Sequence, residues 1–117
     1  MQIELAKTNP NLPDDPTKLA FGHEFTDHML SIEWSAKDGW QTPKIEKLRN
    51  LSIHPAAKVL HYSVEIFEGM KAYYGVDKKI RLFRPDLNMI RFQKSTLRSA
   101  LPVNNFDLYL INACPSV

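Results

Sequence analysis

The sequence predicts an α+β domain, a mainly antiparallel sheet with helices on one face, and three observations lead there. Short β-favouring runs broken by turn residues fill the first half, a helical period of apolar residues begins at Val59, and a hairpin signal precedes a second helical stretch. That order segregates strands from helices instead of alternating them.

The elements follow in chain order. Prolines at 10, 13 and 16 exclude a continuous helix and predict an extended arm over residues 1–20. Between Phe21 and Trp34 the partial alternation from His28 onward predicts a strand, Lys37-Asp38-Gly39 a turn, and 40–48 the returning strand, which Pro43 would confine to a sheet edge. Residues 51–54 read as a further short strand ended by Pro55.

Val59, Tyr62, Ser63, Ile66, Phe67 and Met70 share one face at helical spacing, so a helix is expected over 59–70, with Glu68 on its opposite side and Gly69 near its end. Residues 71–74 and 79–83 flank Gly75-Val76-Asp77-Lys78 as the arms of a hairpin. Pro85 suits the first position of a second helix, Asp86 complements its dipole, and Leu87, Ile90, Lys94, Leu97 and Leu101 form its stripe until Pro102 stops it. The stretch 103–117 has no clean period.

Composition narrows the function. With 44% hydrophobic and 24% charged residues the chain is of ordinary globular composition, and no apolar run approaches the roughly 18–20 residues of a membrane span, so no membrane partner is expected. Cys114 is the only cysteine, which excludes an intrachain disulfide and favours a reducing compartment. The opening segment has Glu4, Asp14 and Asp15 and no arginine before Arg49, unlike a transit peptide. A cytoplasmic setting is expected, with a mitochondrial one as the alternative.

Four glycines, at 22, 39, 69 and 75, cannot build a dinucleotide fingerprint or a P-loop, and no G-x-S-x-G elbow is present. His23 and His28 are five residues apart, where the zinc-protease pattern needs four on a helix, so no metal site is expected. The charge is uneven. Between Lys71 and Arg98 eight basic residues face only Asp77 and Asp86, a balance suited to a phosphate-bearing ligand. A nucleic-acid module would add an aromatic-rich binding motif, and none is seen, so no nucleic-acid partner is expected.

The remaining constellation runs from Leu60 to Arg91. The run Leu60-His61-Tyr62-Ser63-Val64-Glu65-Ile66-Phe67-Glu68-Gly69-Met70-Lys71-Ala72-Tyr73, followed by Ile80-Arg81-Leu82-Phe83-Arg84-Pro85 and Asn88-Met89-Ile90-Arg91, resembles the class IV, or fold-type IV, pyridoxal-phosphate-dependent aminotransferases. Upstream, Phe21-Gly22, Phe25-Thr26-Asp27-His28-Met29, Glu33-Trp34 and Asn50-Leu51-Ser52-Ile53-His54-Pro55 narrow the resemblance to the branched-chain amino acid aminotransferases. It covers about residues 21–102.

The resemblance implies the small N-terminal domain of such an enzyme, incomplete, with residues 21–105 as the small-domain portion and 106–117 as a divergent or truncated tail. It implies amino transfer between leucine, isoleucine or valine and 2-oxoglutarate, pyridoxal 5'-phosphate as cofactor, and a homodimer in the full-length protein. Arg91 matches the arginine that holds the cofactor phosphate, and a planar guanidinium suits two parallel bonds to phosphate oxygens. Periodicity alone would make it an exposed helix arginine.

Phe21, Tyr62 and Phe67 match aromatic positions lining the pocket for a branched side chain, although Tyr62 and Phe67 also lie on an apolar stripe and on that ground alone read as core. Lys71 does not match the family's catalytic lysine, which lies in the large domain, so no catalytic residue is assigned and the isolated chain is expected to be inactive. Ile90 stands where close relatives often carry Asp. A competing reading makes the chain a non-catalytic partner docking onto full-length aminotransferase subunits.

Overall fold

The computed structural model describes residues 2–5 and 15–103, which include strands and helices of the expected α+β mixture. The chain forms two compact units, Met1–Ser52 and Ile53–Val117. No helix among the described residues is long and apolar enough to cross a membrane. The predicted tail and Cys114 lie outside the described residues.

The first unit is built on a three-stranded sheet. Strand β1 (Gln2–Ile3) runs parallel to β5 (Lys44–Lys47), and β5 pairs antiparallel with β2 (His28–Ser31), in the order β1-β5-β2. The β2–β5 register sets His28 opposite Lys47 and Ser31 opposite Lys44. Strand β5 is therefore central, contrary to the edge position expected from Pro43. The proline sits one residue before the strand and contributes only its carbonyl, which accepts from the Gln2 amide at 2.9 Å, so its missing N–H is never called upon.

The predicted turn at Lys37-Asp38-Gly39 joins β3 (Trp34–Ser35) to β4 (Gly39–Trp40), with Gly39 at φ 70° and the Asp38 amide donating to Ser35 Oγ at 3.0 Å. The strand expected over 21–34 is shorter than its β-favouring composition suggested, because residues 21–23 turn around Gly22 at φ 78°. Residues 51–54 form no strand. Before the sheet, a 3-10 turn at Pro16–Lys18 is capped by Asp15, whose carboxylate accepts from the Thr17 amide at 3.0 Å.

The second unit corrects the helix expected over 59–70. Helix α1 covers only Lys58–Tyr62, because Ser63 adopts a left-handed conformation (φ 50°, ψ 38°) and ends it. Residues 63–70 are irregular. A five-residue helix whose N-cap, Ala57, offers no side-chain acceptor has little intrinsic stability, and β-branched Val64 and Ile66 add little to its extension. The helical spacing of Ile66, Phe67 and Met70 is thus overridden by the polar bonds that Glu68 makes further on.

Strands β6 (Ala72–Tyr74) and β7 (Ile80–Leu82) form the predicted hairpin, with Tyr73 opposite Arg81. Its turn is fastened by Asp77, whose carboxylate accepts from Arg81 Nη1 at 2.8 Å and Nη2 at 2.7 Å. Among the described residues the single sheet expected from sequence is three small sheets, of three, two and two strands, and all pairs except β1–β5 are antiparallel.

Helix α2 (Pro85–Arg98) begins at Pro85 as predicted, with Asp86 in its first turn and Arg98 in its last. It ends before Pro102. Ala100, at φ 52°, donates to the Leu97 carbonyl at 3.1 Å and Leu101 donates to that of Thr96 at 3.0 Å, the two bonds of a Schellman motif. The expected stripe is also corrected: the buried residues are Asn88, Met89 and Thr96, while Ile90 and Leu97 are exposed. Asn88 is committed to polar partners, and its position decides which face turns inward.

Ala100 occupies the place where glycine is usual. An Ala100→Gly substitution relieves roughly 1–2 kcal/mol of left-handed strain and adds about 0.4–1 kcal/mol of unfolded-state entropy, for a net gain of about 0.5–1 kcal/mol. Thermal unfolding followed by circular dichroism should show a raised midpoint, whereas Ala100→Val should lower it.

Candidate functional site

The second unit gathers its polar chemistry around one carboxylate. Asn88 and Arg91 are three residues apart in the first turns of α2 and so project from the same side. Both reach Glu68, which the irregular segment after Ser63 delivers to the helix. Arg91 donates from Nε to Glu68 Oε2 at 3.1 Å and from Nη2 to Oε1 at 2.5 Å, a fork on both carboxylate oxygens. Asn88 Nδ2 donates to Glu68 Oε1 at 2.9 Å and to the Gly69 carbonyl at 2.6 Å.

Exposure differs across this group. The Glu68 side chain is 13% exposed and that of Arg91 57%, so the carboxylate is shielded while the guanidinium keeps a solvent face. The Arg91 guanidinium, with help from Asn88 and the Gly69 backbone, holds the Glu68 carboxyl below the usual glutamate range against an opposing push from burial. Glu68 in turn raises Arg91 above its ordinary value.

Arg91 borders a concavity of about 430 Å³. Its walls include Gly69, Met70, Lys71, Tyr73, Phe83, Arg84, Leu87 and Asn88. Three cationic side chains, Lys71, Arg84 and Arg91, thus border one space, and no carboxylate is among its lining residues. Arg84 is placed there by its left-handed backbone (φ 49°, ψ 52°), which turns the chain from β7 into α2. Such a surface can receive a multiply charged anion.

Of the aromatic residues singled out from sequence, the two in the second unit, Tyr62 and Phe67, do not line this concavity. Phe67, next to Glu68, is 91% exposed and borders a second concavity of about 440 Å³ with Ile66, Lys94 and Arg98. Tyr62 is exposed at the end of α1. Phe21 is fully exposed in a turn of the first unit. Within the second unit, then, Arg91 and Phe67 do not line the same concavity.

Sequence reasoning overlooked Glu68 and Asn88. It placed Glu68 on the outer face of a helix that stops at Tyr62. The available signal was the spacing Asn88-x-x-Arg91, which puts an amide and a guanidinium side by side, together with an acid at the edge of a strongly basic stretch.

Comparison with known proteins agrees with the residue blocks. The chain is 59% identical over 112 residues to the cytosolic branched-chain-amino-acid aminotransferase of Caenorhabditis elegans, covering 92% of this chain and 26% of that protein. It is 64% identical over 88 residues to the cytosolic enzyme of Rattus norvegicus, covering 75% and 21% respectively. Against the mitochondrial enzyme of Bos taurus it is 46% identical over 114 residues, covering 97% and 28%. The chain belongs to the branched-chain-amino-acid aminotransferase family.

No protein-family model matches the chain. The chain spans about a quarter of the length of the curated relatives it matches. The likeness to the bovine protein, at 97% of the chain, runs beyond residues 21–102 at both ends. Relatives with cytosolic and with mitochondrial names are both represented.

The Glu68–Arg91 pair has a defined pH dependence. Because the folded Glu68 carboxyl titrates below its unfolded value, the pair's contribution is fully present above the ordinary glutamate value of about 4.3 and is lost as pH falls through the lowered folded value. Carbon-13 NMR of the Glu68 carboxyl should give a midpoint below that of a free glutamate. In Arg91→Ala the midpoint should move upward, and an unmoved midpoint would assign the depression to Asn88 instead.

Proposed function

We propose that the whole protein transfers amino groups between leucine, isoleucine or valine and 2-oxoglutarate, using pyridoxal 5'-phosphate. The carrying observation is the 59% identity to an enzyme of that name across 92% of this chain. The surroundings of Arg91 fit the cofactor's phosphate: Lys71, Arg84 and Arg91 border one concavity, and Glu68 bonds only the Nε and Nη2 edge of the guanidinium. The other edge, Nη1 with the second Nη2 proton, has the parallel geometry that phosphate oxygens accept.

In this reading Arg91 anchors the phosphate and thereby orients the ring. When bound, the cofactor supplies the electron sink that amino transfer needs. Phe21, Tyr62 and Phe67 contribute apolar surface to the branched side chain of the substrate, where burial of such a chain is worth roughly 1.5–3 kcal/mol. That role requires surroundings beyond those the two separately described units provide, since all three rings are exposed.

Residues 21–105 are assigned to the small N-terminal domain of a fold-type IV enzyme, and the full protein to a homodimer. A cytoplasmic location is favoured over a mitochondrial one, because identity to the cytosolic relatives, 59% and 64%, exceeds the 46% to the bovine mitochondrial one.

Two measurements test the reading. Titration with pyridoxal 5'-phosphate and with pyridoxal should show a preference for the phosphorylated compound that Arg91→Ala reduces about tenfold, the equivalent of roughly 1.4 kcal/mol. The purified 117-residue chain should not transaminate leucine, and a stoichiometric borohydride-stable adduct at one of its lysines would overturn the assignment of no catalytic lysine to it.

A further inference from the structure

A guanidinium on an exposed helix face samples many rotamers, and a phosphate that binds it must first collect it into one. Arg91 is half exposed, yet both ends of its Nε–Nη2 edge are fixed on Glu68. Glu68 is itself held, because Asn88 donates to the same carboxylate and to the adjoining Gly69 carbonyl. Asn88 is 8% exposed and cannot swing away without leaving a buried amide unpaired. The chain of restraint therefore runs from a buried amide, through a shielded carboxylate, to the cation.

We infer that Glu68 is a positioning residue for phosphate binding: with Asn88 it clamps one edge of Arg91 so that the other edge is presented, already ordered, to a phosphate monoester in the concavity shared with Lys71 and Arg84. The inference rests on the proposal that Arg91 anchors the cofactor's phosphate, and it adds a role for an acid where simple electrostatics would place none. A carboxylate beside an anion site lowers the local positive charge, from three cations to a net of two. A phosphate monoester carries about −1.5 to −2 at neutral pH, so charge balance survives the acid.

The two effects of Glu68 have opposite signs, which makes the inference decidable. If the carboxylate acted only through its charge, removing it would tighten phosphate binding. If it acts by ordering Arg91, removing it weakens binding despite the gain in positive charge. Glu68→Gln keeps the side chain's size but leaves one acceptor oxygen where the fork needs two, so one of the two bonds to Arg91 is lost, whereas Glu68→Ala loses both.

The test uses the full chain with pyridoxal 5'-phosphate, pyridoxal and inorganic phosphate as probes, measured by calorimetry or fluorescence at pH 7. Expected is a three- to tenfold weakening for pyridoxal 5'-phosphate and for phosphate in both Glu68→Ala and Glu68→Gln, with pyridoxal unaffected. Nitrogen-15 NMR of Arg91 Nε supplies a readout without any ligand: hindered rotation about the guanidinium in the natural chain, released in both variants. Circular dichroism confirms that each variant folds, and if Glu68→Ala does not, Glu68→Gln carries the comparison. Unchanged or tighter phosphate binding in a folded Glu68 variant, or a freely rotating Arg91 in the natural chain, overturns the positioning role. If Arg91→Ala leaves phosphate affinity intact, the anchoring proposal falls as well; if Arg91→Ala weakens it and the Glu68 variants do not, the positioning inference falls alone.

Discussion

The bonds between Glu68, Asn88 and Arg91 constrain how the second unit is put together more narrowly than its apolar contacts do. Met89 is the one hydrophobic side chain buried among the described residues, and the other buried side chains are the polar Asn88 and Thr96. An apolar contact is indifferent to small rotations, whereas a forked carboxylate–guanidinium bond with a third donor on the same oxygen is satisfied in one arrangement only. The network therefore sets the rotation of α2 about its axis and the path of residues 63–70 together. Stability and geometry come from the same atoms, so the residues that register the helix also face the basic concavity.

Backbone conformation prepares this arrangement on both sides. Ser63 and Arg84 each adopt a left-handed conformation, at φ 50° and 49°, which an L-residue accepts only when its surroundings hold it there. The first releases the chain from α1 and frees Glu68 to approach α2. The second turns the chain out of β7 so that Pro85 can open the helix and Asn88 lies within its first turns. Between them lies the hairpin β6–β7, fastened at its turn by Asp77 and Arg81. The concavity beside Arg91 is lined from all three pieces, by Gly69, Tyr73 and Arg84 among others.

Legibility in the sequence followed the range of the interactions. Turn and cap signals are legible: the turn before Gly39, the hairpin around Gly75–Lys78 and the opening of α2 at Pro85 depend on neighbours in the chain and lie where turn and cap chemistry puts them, whereas strand-favouring composition at 51–54 forms no strand. Features fixed at a distance were missed. Nothing near Ser63 announces a left-handed residue, and the partners that draw Glu68 away from a helix lie 20 and 23 residues further on. Pro43 misled for a related reason, since its cost depends on whether a neighbouring strand needs its N–H, and β1 asks only for its carbonyl. Arg91 stood out through its motif, but its carboxylate partner was hidden by the wrong secondary structure.

The exposed stripe on α2 shows what periodicity does and does not encode. Ile90 and Leu97 recur at helical spacing with Leu87 and Leu101, and such a pattern expresses a preference for burial that each side chain carries regardless of its neighbours. Burial itself needs an opposing surface, and among the described residues Ile90 remains 45% and Leu97 66% exposed. Leu60, Tyr62, Phe67 and Phe83 are exposed in the same unit. Scattered apolar side chains on a surface need no explanation, but Ile90 and Leu97 left outward on one helix face while Asn88 and Thr96 turn inward do. The polar network supplies it: Asn88 must reach Glu68 and Gly69, and a helix that satisfies those bonds cannot also bury Ile90 and Leu97 roughly opposite. Ile90 and Leu97 face away from Asn88, so the helix can meet an apolar surface along that side without disturbing the clamp on Arg91.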